Sequence, residues 1–196
     1  MRAGVRLGID VGRARIGVAR CDLHGMLATP LETVQRSASG DADVRRILAL
    51  ADEHGAIELI VGMPLGLSGH RTPSTDDAEG FAARLADALR SAGGELARAE
   101  VRLVDERLST VSAQGQLRQA GRKTKQSRAI IDQAAAVVIL QHALDMERAR
   151  GEAPGTVVGP ASAQVDPRAG SATDDGAAED TTIADTATDD AGSDRR

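Results

Sequence analysis

Val5, Leu7 and Ile9 stand at every second position near the start of the chain, the period of a pleated strand with one face buried. That run ends at Asp10, and a turn around Gly12-Arg13-Ala14 leads into a second apolar run, Ile16 to Ala19. A third run, Met26 to Val34, follows the turn at Asp22-Leu23-His24-Gly25. Turns this short predict an antiparallel meander. Asp41 is placed to cap a helix over roughly 42–54, with Val44, Ile47, Leu48 and Ala51 as its inward stripe. Ile57 to Gly62 reads as a buried strand, and the Gly- and Pro-rich stretch Met63 to Gly69 after it as a loop. A second helix is predicted from about 74 to 91, turning Ala78, Phe81, Ala82, Leu85 and Leu89 inward and ending at Gly93-Gly94. Val101 to Val104 is the next strand and runs into Asp105-Glu106-Arg107. Ser109 or Thr110 is placed to cap a short helix to about 119, and the last helix spans about 128–148, nearly all apolar from Ala134 to Leu140. Three hairpin strands followed by strand–helix–strand units predict an α/β class, a mixed sheet with helices on its faces.

Composition divides the chain. Residues 151–196 hold ten Asp/Glu and three Arg, which leaves 21 of the 24 Lys/Arg and 19 of the 29 Asp/Glu in residues 1–150. The net charge of −5 therefore belongs to the end of the chain, while the first 150 residues are mildly basic. Residues 151–196 are rich in Ala, Asp, Gly, Thr and Ser and are expected to form an acidic disordered tail. The expected organisation is one domain over 1–150 and that tail. With one Phe and neither Trp nor Tyr, the core must be aliphatic. No apolar run is long enough to span a membrane, and no leader of signal-peptide type is expected. A single cysteine, Cys21, permits no internal disulfide, which fits the cytoplasm.

The chemistry sits at strand ends. Asp10 closes the first strand and Asp105-Glu106 the last, and in an open α/β sheet ligands bind beyond the carboxyl ends of parallel strands. Asp132 lies early in the final helix, surrounded by Ile130, Ile131, Ala134, Ala135 and Ala136. A carboxylate on so apolar a surface demands a partner. Converging hard oxygen donors would suit Mg²⁺ or Mn²⁺. Each acid also has a structural reading: Asp10 as acceptor in its turn, Glu106 in an ion pair with Arg107 or Arg102, and Asp132 as a charge favouring its helix end.

Four segments in order now resemble the YqgF/RuvX family of RNase H-like nucleases, whose members are described as Holliday-junction resolvases or as pre-16S rRNA processing nucleases. They are Gly8-Ile9-Asp10-Val11-Gly12 with Arg15-Ile16-Gly17-Val18-Ala19, Ile60-Val61-Gly62-Met63-Pro64 with Ser68-Gly69, Asp105 to Thr110, and Ile131 to Ala136. The resemblance covers most of residues 4–146. It implies an RNase H-like mixed five-stranded sheet. It also implies that Asp10, Glu106 and Asp132 are the metal-binding, catalytic carboxylates of a nuclease acting on structured RNA or branched DNA. The resemblance ends before the tail, and Gly66 and Leu67 stand where relatives are often more polar.

The remaining residues can be assigned to substrate. Gly62, Ser68 and Gly69 lie in a loop without bulky side chains near its glycines, open to phosphate at its backbone N–H groups. Arg118, Arg122, Lys123, Lys125 and Arg128 place five cations, with no acid among them, directly before Asp132, a pattern suited to phosphate binding. Recognition by shape and backbone is expected, since base stacking uses aromatic rings and Phe81 is assigned to the core. Processing of the 5′ end of 16S rRNA is the favoured activity. Junction cleavage is the alternative and would need a symmetric dimer; the sequence allows monomer or homodimer. An ATPase of the actin or sugar-kinase type also opens on an Asp-x-Gly hairpin, but about 150 ordered residues cannot build its two lobes. A non-catalytic nucleic-acid-binding protein on the same fold is disfavoured by the presence of all three acids.

Overall fold

The computed structural model describes residues 2–66, 68–106 and 125–159, with backbone alone for 125–131. Strands β1 (Val5–Val11), β2 (Arg15–Cys21) and β3 (Ala28–Gln35) form the expected meander. Helix α1 (Ala42–Glu53), strand β4 (Ala56–Met63), helix α2 (Pro73–Ala92), a 3-10 turn (Leu96–Arg98) and strand β5 (Glu100–Asp105) follow. Helix α3 (Lys125–Arg150) and strand β6 (Thr156–Val157) complete the described elements. Their order in the sheet is β3-β2-β1-β4-β5-β6, with β1, β4 and β5 parallel and the other pairings antiparallel.

Six strands replace the five expected. The sixth falls where the sequence reads as tail: Thr156 pairs with Leu103 and Val157 with Arg102, and the N–H of Val158 donates to the carbonyl of Val101. Val158 is buried. So short a strand carries no periodic signal, and the edge of β5 supplies the pairing that its own sequence does not advertise. Residues 160–196, the rest of the expected tail, lie outside the described residues, as does the short helix expected to 119.

Each face of the sheet has its own core. Leu7, Ile9, Ile16, Val18, Leu59 and Val61 pack under α1 and α2. The stripe of α1 is Val44, Ile47, Leu50 and Ala51, with Leu48 only partly buried. The stripe of α2 is the predicted one, extended by Ala86. Each fully buried Leu, Val or Phe here contributes about 1.5–3 kcal/mol. Thr72 caps α2 in a capping box with Thr75, Pro73 occupies its first turn, and Gly93 ends it at φ 72°. Asp41 does sit at the N-cap of α1, but its carboxylate makes no capping bond. It pairs instead with Arg84 at 2.7 Å. The buried acid is Asp43, which accepts from the N–H groups of Ser37 and Val44.

On the other face Ala19, Cys21, Ile60 and Val104 pack against Ala136, Ile139, Leu140, Ala143 and Leu144 of α3. Because α3 covers that face, Arg6 and Gly8 of β1 are buried there, while Asp10 at the rim is half-buried. Arg6 is fully buried, with its guanidinium 3.3 Å from Glu58 and 3.1 Å from Glu147. Arg2 reaches both acids at 3.0 Å. This network ties the amino-terminal segment to the end of α3, at the sheet end away from Asp10.

Candidate active site at the carboxyl ends of the parallel strands

Parallel β1, β4 and β5 place their carboxyl ends on one rim, the condition the strand-end acids required. Asp10 is the penultimate residue of β1, and Glu106 directly follows β5. Asp10 pairs with Gly17 and Gly8 with Ala19 across β1–β2. Partners directly opposite in an antiparallel pair share a face, so Asp10 stands on the α3 side with Gly8, Gly17 and Ala19. Ile9 is partnered by Val61, which sets Gly62 beside Asp10 on the next strand.

Glycines bring the helix down onto this face. A Cβ on Gly17 would lie 1.9 Å from the carbonyl oxygen of Asp132. One on Gly8 would lie 2.5 Å from Cβ of Leu140 and 2.8 Å from the carbonyl oxygen of Ala136. One on Gly62 would lie 2.4 Å from Oε1 of Glu106 and 2.5 Å from Cδ1 of Ile139. Side-chain-free positions on three adjacent strands thus let α3 approach the sheet more closely than any other residue would allow. The consequence is local: Asp132 is set against the residue opposite Asp10, and Glu106 reaches over the residue beside it.

Asp132 has a partner of its own. Its Oδ2 accepts a hydrogen bond from Nε of Arg15 at 2.7 Å, and the two side chains, Arg15 and Asp132, are 21% and 26% exposed. Arg15 opens β2, and its carbonyl accepts from the N–H of Gly12 at 3.0 Å, closing the turn after Asp10. Arg36 braces that turn from outside, donating to the carbonyl of Gly12 at 3.2 Å and to both carboxylate oxygens of Asp77. Its guanidinium also lies 5.1 Å from the centroid of the buried Phe81 ring.

The donor set is chemically suited to a hard divalent cation: three carboxylates and nothing softer. Among the described residues, no group of three His, Cys, Asp or Glu is drawn tightly enough to hold an ion as they stand, and Asp132 is turned to Arg15. Asp10 and Glu106 are half-buried and each has an interaction partner.

The loop after β4 differs from its expected role. The N–H of Gly66 donates to the carbonyl of His70 at 2.9 Å, and that of Gly69 to the carbonyl of Gly66 at 2.7 Å. Those two donors are used within the loop. Gly69 is required by its φ of 83°, and Gly62 by the room it leaves for Glu106. Ser68 Oγ pairs with Nδ1 of His70 at 2.8 Å, so these two polar groups are what the loop exposes. Of the cations, Lys125 is the first residue of α3 and Arg128 lies in its first turn; Arg118, Arg122 and Lys123 lie outside the described residues.

Sequence reasoning passed over Arg15, Gly8 and Gly17 as parts of the site. The available signal was glycine inside otherwise apolar strands, which marks a close backbone approach.

The fold is RNase H-like. A solved structure, T. thermophilus RuvC in complex with Holliday junction substrate, matches it with a TM-score of 0.52 at 18% identity, covering 79% of this chain and 99% of that one. The chain belongs to the RuvX family, whose model, described as Holliday junction resolvase, matches residues 4–146. A protein of Clavibacter sepedonicus carrying the provisional name pre-16S rRNA nuclease is 61% identical over 158 residues, 81% of this chain and 93% of that one. A Leifsonia xyli relative with the same name is 58% identical over 160 residues, covering 82% and 97%.

Proposed function

We propose that this chain is a divalent-metal-dependent nuclease that trims the 5′ end of precursor 16S rRNA in the cytoplasm, with Asp10, Glu106 and Asp132 holding Mg²⁺ or Mn²⁺. The observation that supports the reading is that β1 and β5 carry Asp10 and Glu106 to one rim while α3 lays the backbone of Asp132 against Gly17, opposite Asp10, in a chain 61% identical to a protein bearing that nuclease name. A divalent ion bound there supplies the charge neutralisation and the lowered water pKa that phosphodiester hydrolysis needs. The protein's own part would be to bring three carboxylates of like charge to one rim, and the close packing of α3 on Gly17 supports this by fixing the backbone of Asp132.

Substrate contacts fall to Ser68 at the exposed loop and to Arg118, Arg122, Lys123, Lys125 and Arg128 leading into α3. With no Trp or Tyr and with Phe81 buried, recognition rests on backbone and shape. Junction cleavage is the second reading, favoured by the family's description; it requires two copies acting on symmetric strands, so a homodimer. Labelled precursor rRNA and a four-way junction, incubated with Mg²⁺, Mn²⁺ or EDTA, decide between them. Cleavage of the rRNA at its mature 5′ end, abolished by EDTA and by Asp10→Asn, is expected. Activity surviving both treatments refutes the metal mechanism, and preference for the junction refutes the substrate.

A further inference from the structure

Two kinds of arginine–carboxylate pair meet α3, and their contrast is informative. At one end of the helix Arg6 is fully buried and bonds to Glu58, Glu147 and the carbonyls of Gly4 and Arg2. Such a pair is fixed, because breaking it leaves uncompensated charge in the interior. At the other end Arg15 meets Asp132 through Nε alone, with both side chains partly exposed. Pairs of this second kind are weak and exchangeable. A metal ion that takes Oδ2 of Asp132 competes with Arg15 for the same oxygen and displaces its hydrogen bond.

Arg15 is also placed to do something once displaced. It stands on the same face as Gly17, two residues along the strand, and so on the face of Asp10. It lies at the start of β2, one short turn from Asp10, at the rim where a scissile phosphate must come. Its fork of donors matches phosphate oxygens as well as it does a carboxylate.

We propose that Arg15 is a resident counter-cation that Asp132 exchanges for the metal, and that the released guanidinium then binds the substrate phosphate. Metal loading and nucleic-acid binding are thereby coupled through one side chain. The inference rests on the reading of Asp132 as a metal ligand. Without metal, Arg15 neutralises the acid. With metal, the same arginine becomes a phosphate contact that the free protein withholds.

The test is Mn²⁺ titration by calorimetry on the full chain without nucleic acid, for the wild type, Arg15→Gln, Arg15→Lys, Asp132→Asn and the Arg15→Gln/Asp132→Asn double variant. Arg15→Gln should bind Mn²⁺ roughly fivefold more tightly, having lost a competitor and a like charge. Arg15→Lys, which keeps the charge, should stay within about twofold of wild type. The gain should vanish in the double variant. Fluorescence anisotropy of a labelled precursor rRNA fragment in EDTA and in Ca²⁺ reads the second half: the metal should tighten binding less in Arg15→Gln than in wild type. Unchanged or weaker Mn²⁺ affinity in Arg15→Gln overturns the exchange, as does a gain that persists in the double variant. Equal affinity of wild type and Asp132→Asn removes Asp132 from the metal site, and the parent reading falls with it.

Discussion

Replacing Gly17 with alanine tests whether the close approach of α3 builds the site. The new Cβ would lie 1.9 Å from the carbonyl oxygen of Asp132, 2.5 Å from its carbonyl carbon and 3.2 Å from the nitrogen of Gln133. Carbon–oxygen contacts settle at about 3.3 Å, so the backbone at Asp132 must retreat by about 1.4 Å. No rotamer change can relieve the clash, because a Cβ is fixed to its backbone and the atoms it meets are main chain. Overpacking of this kind costs about 1–3 kcal/mol, within the margin of a domain stable by about 5–15 kcal/mol. The variant should fold, melting lower by about 2–4 °C for each kcal/mol lost. Displacement of a reacting group by about 1 Å costs on the order of 10²-fold in rate, so cleavage of precursor rRNA should fall by about that factor. Gly62→Ala makes a useful comparison, since its Cβ meets the movable end of Glu106 as well as Cδ1 of Ile139. It should lose comparable activity with a smaller change in melting. A Gly17→Ala protein with wild-type melting and wild-type rate would refute the account of the glycines.

Three further outcomes follow from single residues. Gly80 is exposed inside α2, and a Cβ added there would have nothing within 4 Å; Gly80→Ala should stabilise by about 0.5–1 kcal/mol in urea melts without altering cleavage. Burial pushes the Glu147 carboxyl up, but hydrogen bonds from Arg2 and the charges of Arg6 and Arg2 outweigh it, so its pKa lies below the usual range. A depressed carboxylate stabilises fully above its unfolded pKa, about 4.3, and that stability is lost as pH falls through the lower folded value. Wild-type urea midpoints should therefore drop steeply below about pH 4, and Glu147→Gln, weaker at neutral pH, should show a shallower drop; parallel curves would count against the network. Burial, reinforced by Arg150 and opposed by Asp145 and Asp105, holds the imidazole of His142 below its ordinary pKa, and its Nε2 is buried without a hydrogen bond. The fold thus favours the neutral ring, and stability should decline as pH falls below about 6.5. His142→Leu should remove that slope between about pH 7 and 5, measured by thermal melting.

The sequence by itself determined the strands of the meander, the inward stripe of α2, most of that of α1, and the three acids proposed for the site. Periodicity carries that information because a strand alternates faces every residue and a helix every turn, whatever lies around them. It says which positions share a face and nothing about what covers it. Only the tertiary structure decided that the second face of β1 lies under α3, which places Arg6 at the centre of a buried ion network. Only packing shows that Gly8, Gly17 and Gly62 clear a path for that helix, because the need for a missing side chain comes from an element far along the chain. The pair between Arg15 and Asp132 spans 117 residues of sequence, a separation at which no local pattern connects the partners. The edge strand at Thr156–Val157 likewise exists because β5 offers it hydrogen bonds. The acids proposed for the site stand out in the sequence because chemistry chooses residue types; the groups that position them do not, because position is a property of the packed chain.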